Sequence, residues 1–372
     1  MKTQHTILYQ DARNLGNLPD ESVELVVTSP PYPMIAMWDD IFSTMDPKIT
    51  TAMNDDDGNG AHHLMHTQLN RVWDEVARLL VPGGIACVNI GDATRTVGKK
   101  FQLFSNEVHI INRFVDNGFS CLPLIIWSKP TNSPTKFMGS GMLPGGAYVT
   151  LEHEKILIFK KNGSRDFNSE ESKLNRRLSS YFWEERNKWF SDIWTLSGEK
   201  QIMNSQELRS RSGAYPFEIP LRLISMYSVK GDTVLDPFLG TATTTLSAIV
   251  TGRNSIGIES DQSFRDLHNK EIPSSDFINQ SNKWTAKRIQ KHLEFIDNRI
   301  LENKDVKYQN KYYGFPVVTN QETDIRFEKI ESIERSDNSY ITDYTEFILN
   351  ENEINEAYVQ DERPVSRGFY SR

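Results

Sequence analysis

An open, mostly parallel α/β sheet with helices on both faces is the fold class this sequence predicts, joined by an inserted segment and a small C-terminal α+β appendage. Short apolar runs alternate with stretches of helical spacing in two separate blocks, and strands alternating with helices pair in parallel through right-handed crossovers. No apolar run approaches the ~20 residues that a membrane span needs, so the runs belong to a globular core.

In the first block "VELVVTS", from Val23, reads as a buried strand. After a long polar loop, "HTQLNRVWDEVARLLVPGG" has apolar residues at helical spacing and stops at a Gly pair, and "IACVNIGD" is the next strand. "FSNEVHIINRFVDNGF" repeats the helix signature with Gly118 as its stop, and "CLPLIIWSK" is another strand. "KILIFKK" closes this block, residues 1–161, after a Gly/Pro-rich loop. Residues 162–210 are polar, with scattered Arg, Lys and aromatics and no dominant period, and read as an insert. The second block, 211–261, runs through helix "PFEIPLRLISMYSVKGD", strand "TVLDPF", loop "LGTATTT", helix "LSAIVTG" and strand "SIGIES". In 262–372 a helix, "KWTAKRIQKHLEFIDNRIL", precedes strand-like runs "YYGFPVVTN" and "DIRFEKIESIE", and the last twenty residues read as poorly ordered.

Composition narrows the function classes. With 38% hydrophobic and 25% charged residues among 372, the chain is an ordinary globular protein. "MKTQHTILYQ" lacks a secretory signal, which predicts a cytoplasmic protein. The cysteines, Cys87 and Cys121, lie in apolar runs that suit small buried residues, so a disulfide framework is excluded. The net charge of −8 is concentrated: residues 323–372 hold 12 acidic and 6 basic side chains, net −6, leaving −2 for the rest. A nucleic-acid surface on the body of the protein therefore stays open.

Chemistry concentrates at two corners. "TVLDPFLGTATTT", residues 233–245, is a strand ending in an acid, then a small-residue loop, then a helix start, which lets a ligand approach backbone at the carboxyl end of a sheet. Nineteen residues beyond Gly240 the next strand ends at Glu259, an acceptor suited to adjacent ribose hydroxyls. Neither G-x-G-x-x-G nor a P-loop lysine is present, so a nucleoside without pyrophosphate fits better. At the other corner, "SPPY", Pro30 and Pro31 lack N–H groups and hold φ near −65°, giving a rigid turn with acceptors at set positions. Ser29 adds a hydroxyl and Tyr32 a flat face for stacking. Attack by an exocyclic amino nitrogen on an electrophilic methyl needs this set, because accepting its N–H hydrogens draws the nitrogen out of conjugation with the ring. A base taken from the duplex also needs an aromatic partner.

These residues in this order resemble the amino-methyltransferases of DNA, in the group whose catalytic motif precedes the cofactor motif, over residues ~7 to 261. "DARNLGNLPDESVELVVTSPPY" is similar to the family's opening segment, "EHEKILIFKK" to its last sheet strand and "GIES" to its acidic strand end. The resemblance implies a Rossmann-like sheet and S-adenosyl-L-methionine as cofactor. It further implies that Ser29, Pro30, Pro31 and Tyr32 hold the target base, and that the cofactor lies against Thr28, Asp236, Pro237, Phe238, Gly240 and Thr241. Glu259 would bind the ribose, with Asp11 and Pro216 nearby. Serine in the first motif position is the variant the family more often pairs with cytosine N4, in site-specific enzymes of restriction-modification systems. Double-stranded DNA is the implied partner, with a restriction endonuclease as functional counterpart.

Adenine N6 remains the nearer rival, and a non-catalytic nucleotide-binding relative the farther one. Methylation at cytosine C5 is disfavoured, because neither cysteine stands in a Pro-Cys context. No metal is required, since a sulfonium supplies both electrophile and leaving group. Two departures from the family pattern stand out: Ala242 where a second glycine is usual, costly if φ is positive there, and Ser212–Gly213 where a histidine is frequent. "HHLMH", residues 62–66, reads as a solvated helix start, and "NDDDGNG" as a mobile loop and candidate lid. Arg176, Arg177, Arg186, Lys188, Arg209 and Arg211 are the candidate DNA contacts.

Overall fold

The computed structural model describes residues 1–129, 138–196 and 215–348, and these divide into two compact units. The larger holds His5–Asp166 and Trp189–His268. The smaller holds Met1–Gln4, Phe167–Lys188 and the chain from Asn269 onward. No helix among the described residues is long and apolar enough to cross a membrane.

The larger unit is built on the predicted sheet. Its strands are β1 (Lys2–Leu8, through its last residues), β2 (Val23–Thr28), β3 (Leu80–Ile90), β4 (Phe119–Ser128), β5 (His153–Lys161), β6 (Ile193–Thr195), β7 (Thr233–Asp236) and β8 (Asn254–Ile258). Across the sheet they run β6-β4-β5-β3-β2-β7-β8-β1. All neighbours are parallel except β5, which is antiparallel to both β3 and β4. A strand pinned between two neighbours reads as the same apolar run in either direction, so "KILIFKK" carried no sign of its reversal.

Side-chain alternation along β2 sends Val26 to one face and Leu25 and Val27 to the other. The first face is covered by α1 (Gly58–Leu79) and α2 (Asn106–Asp116), the second by α5 (Glu218–Tyr227) and α6 (Thr243–Thr251). Helix α1 buries Ala61, Met65, Leu69, Val72, Trp73, Val76 and Leu79, a stripe at three- and four-residue spacing. Each large member of that stripe contributes roughly 1.5–3 kcal/mol by leaving water.

Several expectations change here. The long polar loop after β2 contains helical turns at Ala36–Trp38, Asp39–Met45 and Pro47–Asn54, because Asp46 caps the third and Pro47 opens it. "NDDDGNG" is a helix start rather than a lid: Asp57 accepts from the Gly60 N–H at 2.8 Å. The Gly pair does not end α1 but lies inside β3, where the backbone of Ser164 and Arg165 packs so close to Gly83 (φ +77) that a Cβ would fall 2.7 Å away. Cys87 is buried as expected, whereas Cys121 is exposed, on the solvent side of β4.

The smaller unit holds α3 (Glu170–Leu178), the two-turn α4 (Trp183–Trp189, to Lys188 in this unit), the long α8 (Ser275–Leu301) and the hairpin β9 (Glu328–Ser336)–β10 (Ser339–Glu346), with α4 tied to α8 by Glu185–Arg288 and Glu184–His292. Phe182, Ala286, Ile289, Phe315, Val317, Ile325, Phe327 and Phe347 form its core. "YYGFPVVTN" supplies only the short strand Pro316–Val317, and the helix α7 (Arg265–Glu271) precedes α8. The final twenty residues lie outside the described part.

Candidate active site

Parallel pairing of β2, β7, β8 and β1 puts their carboxyl ends side by side, and each end carries a residue singled out above: Thr28–Ser29, Asp236, Glu259 and, three residues past β1, Asp11. The register pairs Leu235 with Val26, so Asp236 falls beside the residues that lead into the proline corner. Thr28 Oγ1 donates to Asp236 Oδ1 at 2.6 Å, a direct link between two motifs 208 residues apart.

Asp236 is buried, and its carboxylate also accepts from Thr244 Oγ1 (2.6 Å) and the Phe238 N–H (3.0 Å). Thr244 meets the hydroxyl of Tyr215 at 2.6 Å, which joins the Pro216 segment to the same network. Pro216 and Pro237 are buried, while Thr241 is half-buried with its hydroxyl 3.2 Å from that of Thr243. The glycine loop is clamped at Gly240. Its N–H donates to Glu259 Oε2 (2.8 Å), and its carbonyl lies 2.7 Å from His268 Nε2, whose other nitrogen meets Tyr9 OH at 2.8 Å. Because Nε2 must donate to that carbonyl, Nδ1 accepts from Tyr9. His268 and Tyr9 were not legible in the sequence, as neither belongs to a motif.

Two features of this loop fit a bound nucleoside. Gly240 has φ +54, and a Cβ built there meets nothing within 4 Å, so the missing side chain leaves open space beside the clamped peptide. Glu259 spends one oxygen on Gly240 and the other on the Asp261 N–H (2.7 Å), with lone pairs to spare for ribose hydroxyls. Asp11 is exposed and bidentate with its neighbour Arg13 (2.6 Å).

Ala242 confirms the cost raised by its sequence: it is buried with φ +64, ψ 22, left-handed for a residue with a Cβ. Ala242→Gly is expected to stabilise the protein by about 1 kcal/mol, the left-handed penalty of an L-residue. A thermal midpoint that stays level or falls would show that the buried methyl matters more.

Burial raises the Asp236 carboxyl to about 6 and the Glu259 carboxyl to about 7. Folded values above the unfolded ones mean that both groups contribute stability at low pH and lose it as pH rises through about 6 and about 7. The thermal midpoint is therefore expected to climb as pH falls from about 8 toward about 5.5, and Asp236→Asn or Glu259→Gln to flatten that slope. An equal slope in both variants would assign the dependence elsewhere.

The proline corner is held from two sides. Ser29 Oγ lies 3.1 Å from Tyr32 OH, which donates to Glu154 Oε2 at 2.9 Å. Asn89 Nδ2 reaches Glu154 Oε2 (2.7 Å) and Tyr32 OH (2.8 Å), and Lys129 pairs with the other oxygen of Glu154. Asn89 is buried, and its Oδ1 has no hydrogen-bond partner among the described residues. Burial, helped by the Glu154 charge, pushes the Tyr32 phenol well above its ordinary range. Glu154 and Lys129 stand inside segments already read as strand and family resemblance, yet nothing local marked them as partners of Tyr32.

Behind the corner, the buried Asn106 amide donates to the carbonyls of Pro33 (3.2 Å) and Gly91 (2.9 Å). Its Oδ1 therefore faces His62 Nε2 (2.9 Å) and His66 Nε2 (3.0 Å), which donate to it. "HHLMH" is thus no solvated helix start: His62 and His66 are buried, and burial lowers the values of both. Met34, next in line, holds φ +67, strain of about 1–3 kcal/mol in a bulky residue.

Of the candidate DNA contacts, those among the described residues belong to the smaller unit. Arg177 pairs with Asp324 at 2.8 Å and donates to the Asn320 carbonyl, and Arg176 lies over the Phe167 ring. Arg186 and Lys188 sit on α4, while Arg209, Arg211 and the Ser212–Gly213 position lie outside the described residues.

A mostly parallel sheet whose strand ends gather a clamped glycine loop, an acidic strand end and a proline corner defines the class: the Rossmann-like fold of the S-adenosylmethionine-dependent methyltransferases. Within that class the chain belongs to the DNA methylase family, which matches residues 23–270. It is 53% identical to the type II methyltransferase M.MthZI of Methanothermobacter thermautotrophicus, over 88% of this chain and 90% of the relative. M.MjaI of Methanocaldococcus jannaschii, also a type II methyltransferase, is 48% identical over 73% of this chain and 91% of its own length. A candidate DNA modification methylase of Thermus thermophilus, solved with S-adenosyl-L-methionine, superposes with a TM-score of 0.54 at 30% identity, covering 71% of this chain and 90% of that one.

Proposed function

We propose that this DNA methyltransferase acts on the N4 amino group of a cytosine flipped out of duplex DNA, at a specific site and as the modifying half of a restriction-modification pair. The observation that carries the reading is the 2.6 Å bond from Thr28 to Asp236, which joins the base-holding corner to the cofactor loop. S-adenosyl-L-methionine is the methyl donor, supplying a methyl on a sulfonium that departs as a neutral thioether. The residues suited to hold it are Gly240 and Phe238 in the loop and Glu259 at the ribose, with Thr28, Asp236, Pro237 and Thr241 shaping the loop and Asp11 and Pro216 flanking it.

At the corner, Ser29 Oγ and the Pro30 carbonyl accept the amino N–H hydrogens, which turns the nitrogen lone pair toward the methyl. Pro31 keeps the turn rigid, and the ring of Tyr32 stacks on the extruded base. Cytosine is favoured over adenine by the serine at position 29, through the family resemblance. Segment 162–210 serves as the recognition insert in this reading, with Arg176, Arg186, Lys188 and Arg209 as its basic contacts, Arg211 just beyond it and Arg177 as a brace to Asp324.

Nucleoside mass spectrometry of DNA from cells expressing the chain tests the base. N4-methylcytosine is the expected product; N6-methyladenine would overturn the cytosine assignment. The type II names of the relatives support pairing with an endonuclease, and sequencing of the methylated positions would give the site that such an enzyme must cut.

A further inference from the structure

We propose that Glu154 is the terminus of a proton relay that drains the reacting amino group through Ser29 and Tyr32, and that it thereby sets the direction of the hydrogen bonds at the corner. The relay rests on the amino-methylation reading, though not on which base carries the amine.

A carboxylate can only accept, so the Tyr32 O–H points at Glu154 Oε2 across 2.9 Å. With its proton committed there, the phenol oxygen accepts from Asn89 Nδ2 at 2.8 Å and from the Ser29 O–H at 3.1 Å. The serine proton is thereby turned inward and the serine lone pairs outward. Outward lone pairs are what an amino N–H requires. Were Glu154 neutral and apolar, Ser29 and Tyr32 could each donate to the other, and the corner would lose its polarity.

The same chain conducts. As the nitrogen–carbon bond forms and the carbon–sulfur bond breaks, the sulfonium's positive charge passes to the amino nitrogen, which must then shed one proton. That proton goes to Ser29 Oγ, the serine proton to the Tyr32 oxygen, and the tyrosine proton to Glu154 Oε2. Both hydroxyls end neutral, as they began, and Glu154 holds the proton until water removes it. A side chain 14% exposed allows that exit. A free tyrosinate is no stopping point, because burial opposes it, so the transfers run together. The titratable groups around Glu154 are the Lys129 ammonium, the Tyr32 phenol and, near Tyr32, the Tyr215 phenol. Glu154 acts through Tyr32 and is a positioning residue in this scheme.

Glu154→Gln keeps the shape and an acceptor oxygen but removes the base. In single-turnover transfer of tritiated methyl to unmethylated genomic DNA, it is expected to be slower by about 10²-fold, the scale of general-base effects. Its affinity for S-adenosyl-L-methionine by calorimetry and its thermal midpoint should stay near wild type. The pH–rate profile of Glu154→Gln should differ in shape from that of wild type, whereas a purely structural loss would only scale the profile down. Tyr32→Phe, which cuts the chain but keeps the ring, should match that loss, and the double variant should be no slower than the slower single one. A Glu154→Gln rate within about threefold of wild type, a cofactor affinity falling in step with the rate, or multiplying losses in the double variant would each overturn the relay. Adenine as the methylated base would remove the cytosine reading and leave the relay standing, whereas normal turnover by Glu154→Gln would do the reverse.

Discussion

Tyr32→Ala is expected to lower turnover by about 10²- to 10³-fold while leaving the affinity for S-adenosyl-L-methionine within about twofold of wild type. Two losses add up. The stacking face for the extruded base is worth roughly 1–3 kcal/mol. The phenol also orients Ser29 and hands its hydrogen bond to Glu154, so its removal leaves Ser29 and Asn89 without that partner. The cofactor loop is untouched, because its clamps run to Glu259, His268 and Asp236 and none to Tyr32. Single-turnover rates and calorimetry measure the two quantities separately. An equal loss in both would contradict the placing of Tyr32 on the base side of the site.

Asp236→Ala should do the opposite, weakening cofactor binding by about 10²-fold or more, since its carboxylate gathers Thr28, Thr244 and the Phe238 N–H. Each buried donor left without an acceptor costs roughly 1–3 kcal/mol, and here the strands and helix flanking the loop lose their shared anchor. Turnover falls with it, because Thr28 leads directly into the base-holding corner. Stability at neutral pH should fall too, though by less than the lost acceptors alone would give. Burial has already lifted this carboxyl to about 6, so the ionised form is disfavoured in the fold and its removal relieves part of that cost. Unchanged affinity by calorimetry would take Asp236 out of the cofactor site.

Glu259 and Asp236 are both buried carboxyls with raised values, and both hydrogen-bond the backbone of the glycine loop proposed to hold the nucleoside. Such a loop is less stable before its ligand arrives than a packed apolar turn would be. Ala242 in a left-handed conformation and Met34 at φ +67 add strain at the same two corners. Strain and buried charge at the site, with regular packing around it, is the pattern expected where geometry for chemistry outweighs stability.

The motifs were legible because each depends on near neighbours in the chain. Two prolines set their own φ, a glycine marks the turn it permits, and alternating or helical spacing marks a buried face. From these the order of strands and helices, the proline corner, the glycine loop and the acidic strand end followed, and the positive φ feared for Ala242 was found. Reading failed where local polarity was taken for exposure: His62 and His66 are polar by type, yet Asn106 satisfies them inside the core. Residues 167–188, which show no dominant period, hold two short helices, and Phe182 between them packs on Phe315 and Phe327 from the chain beyond residue 269.

What the sequence by itself determined was which segments turn, span and stack, because torsion preferences and spacing are properties of a few consecutive residues. Only the tertiary structure decided that Thr28 meets Asp236, that β5 runs backward, and that Glu154 and Asn89 close on Tyr32. Those contacts are set by the register between strands far apart in the chain, and a shift of one residue would turn each of those side chains to the opposite face.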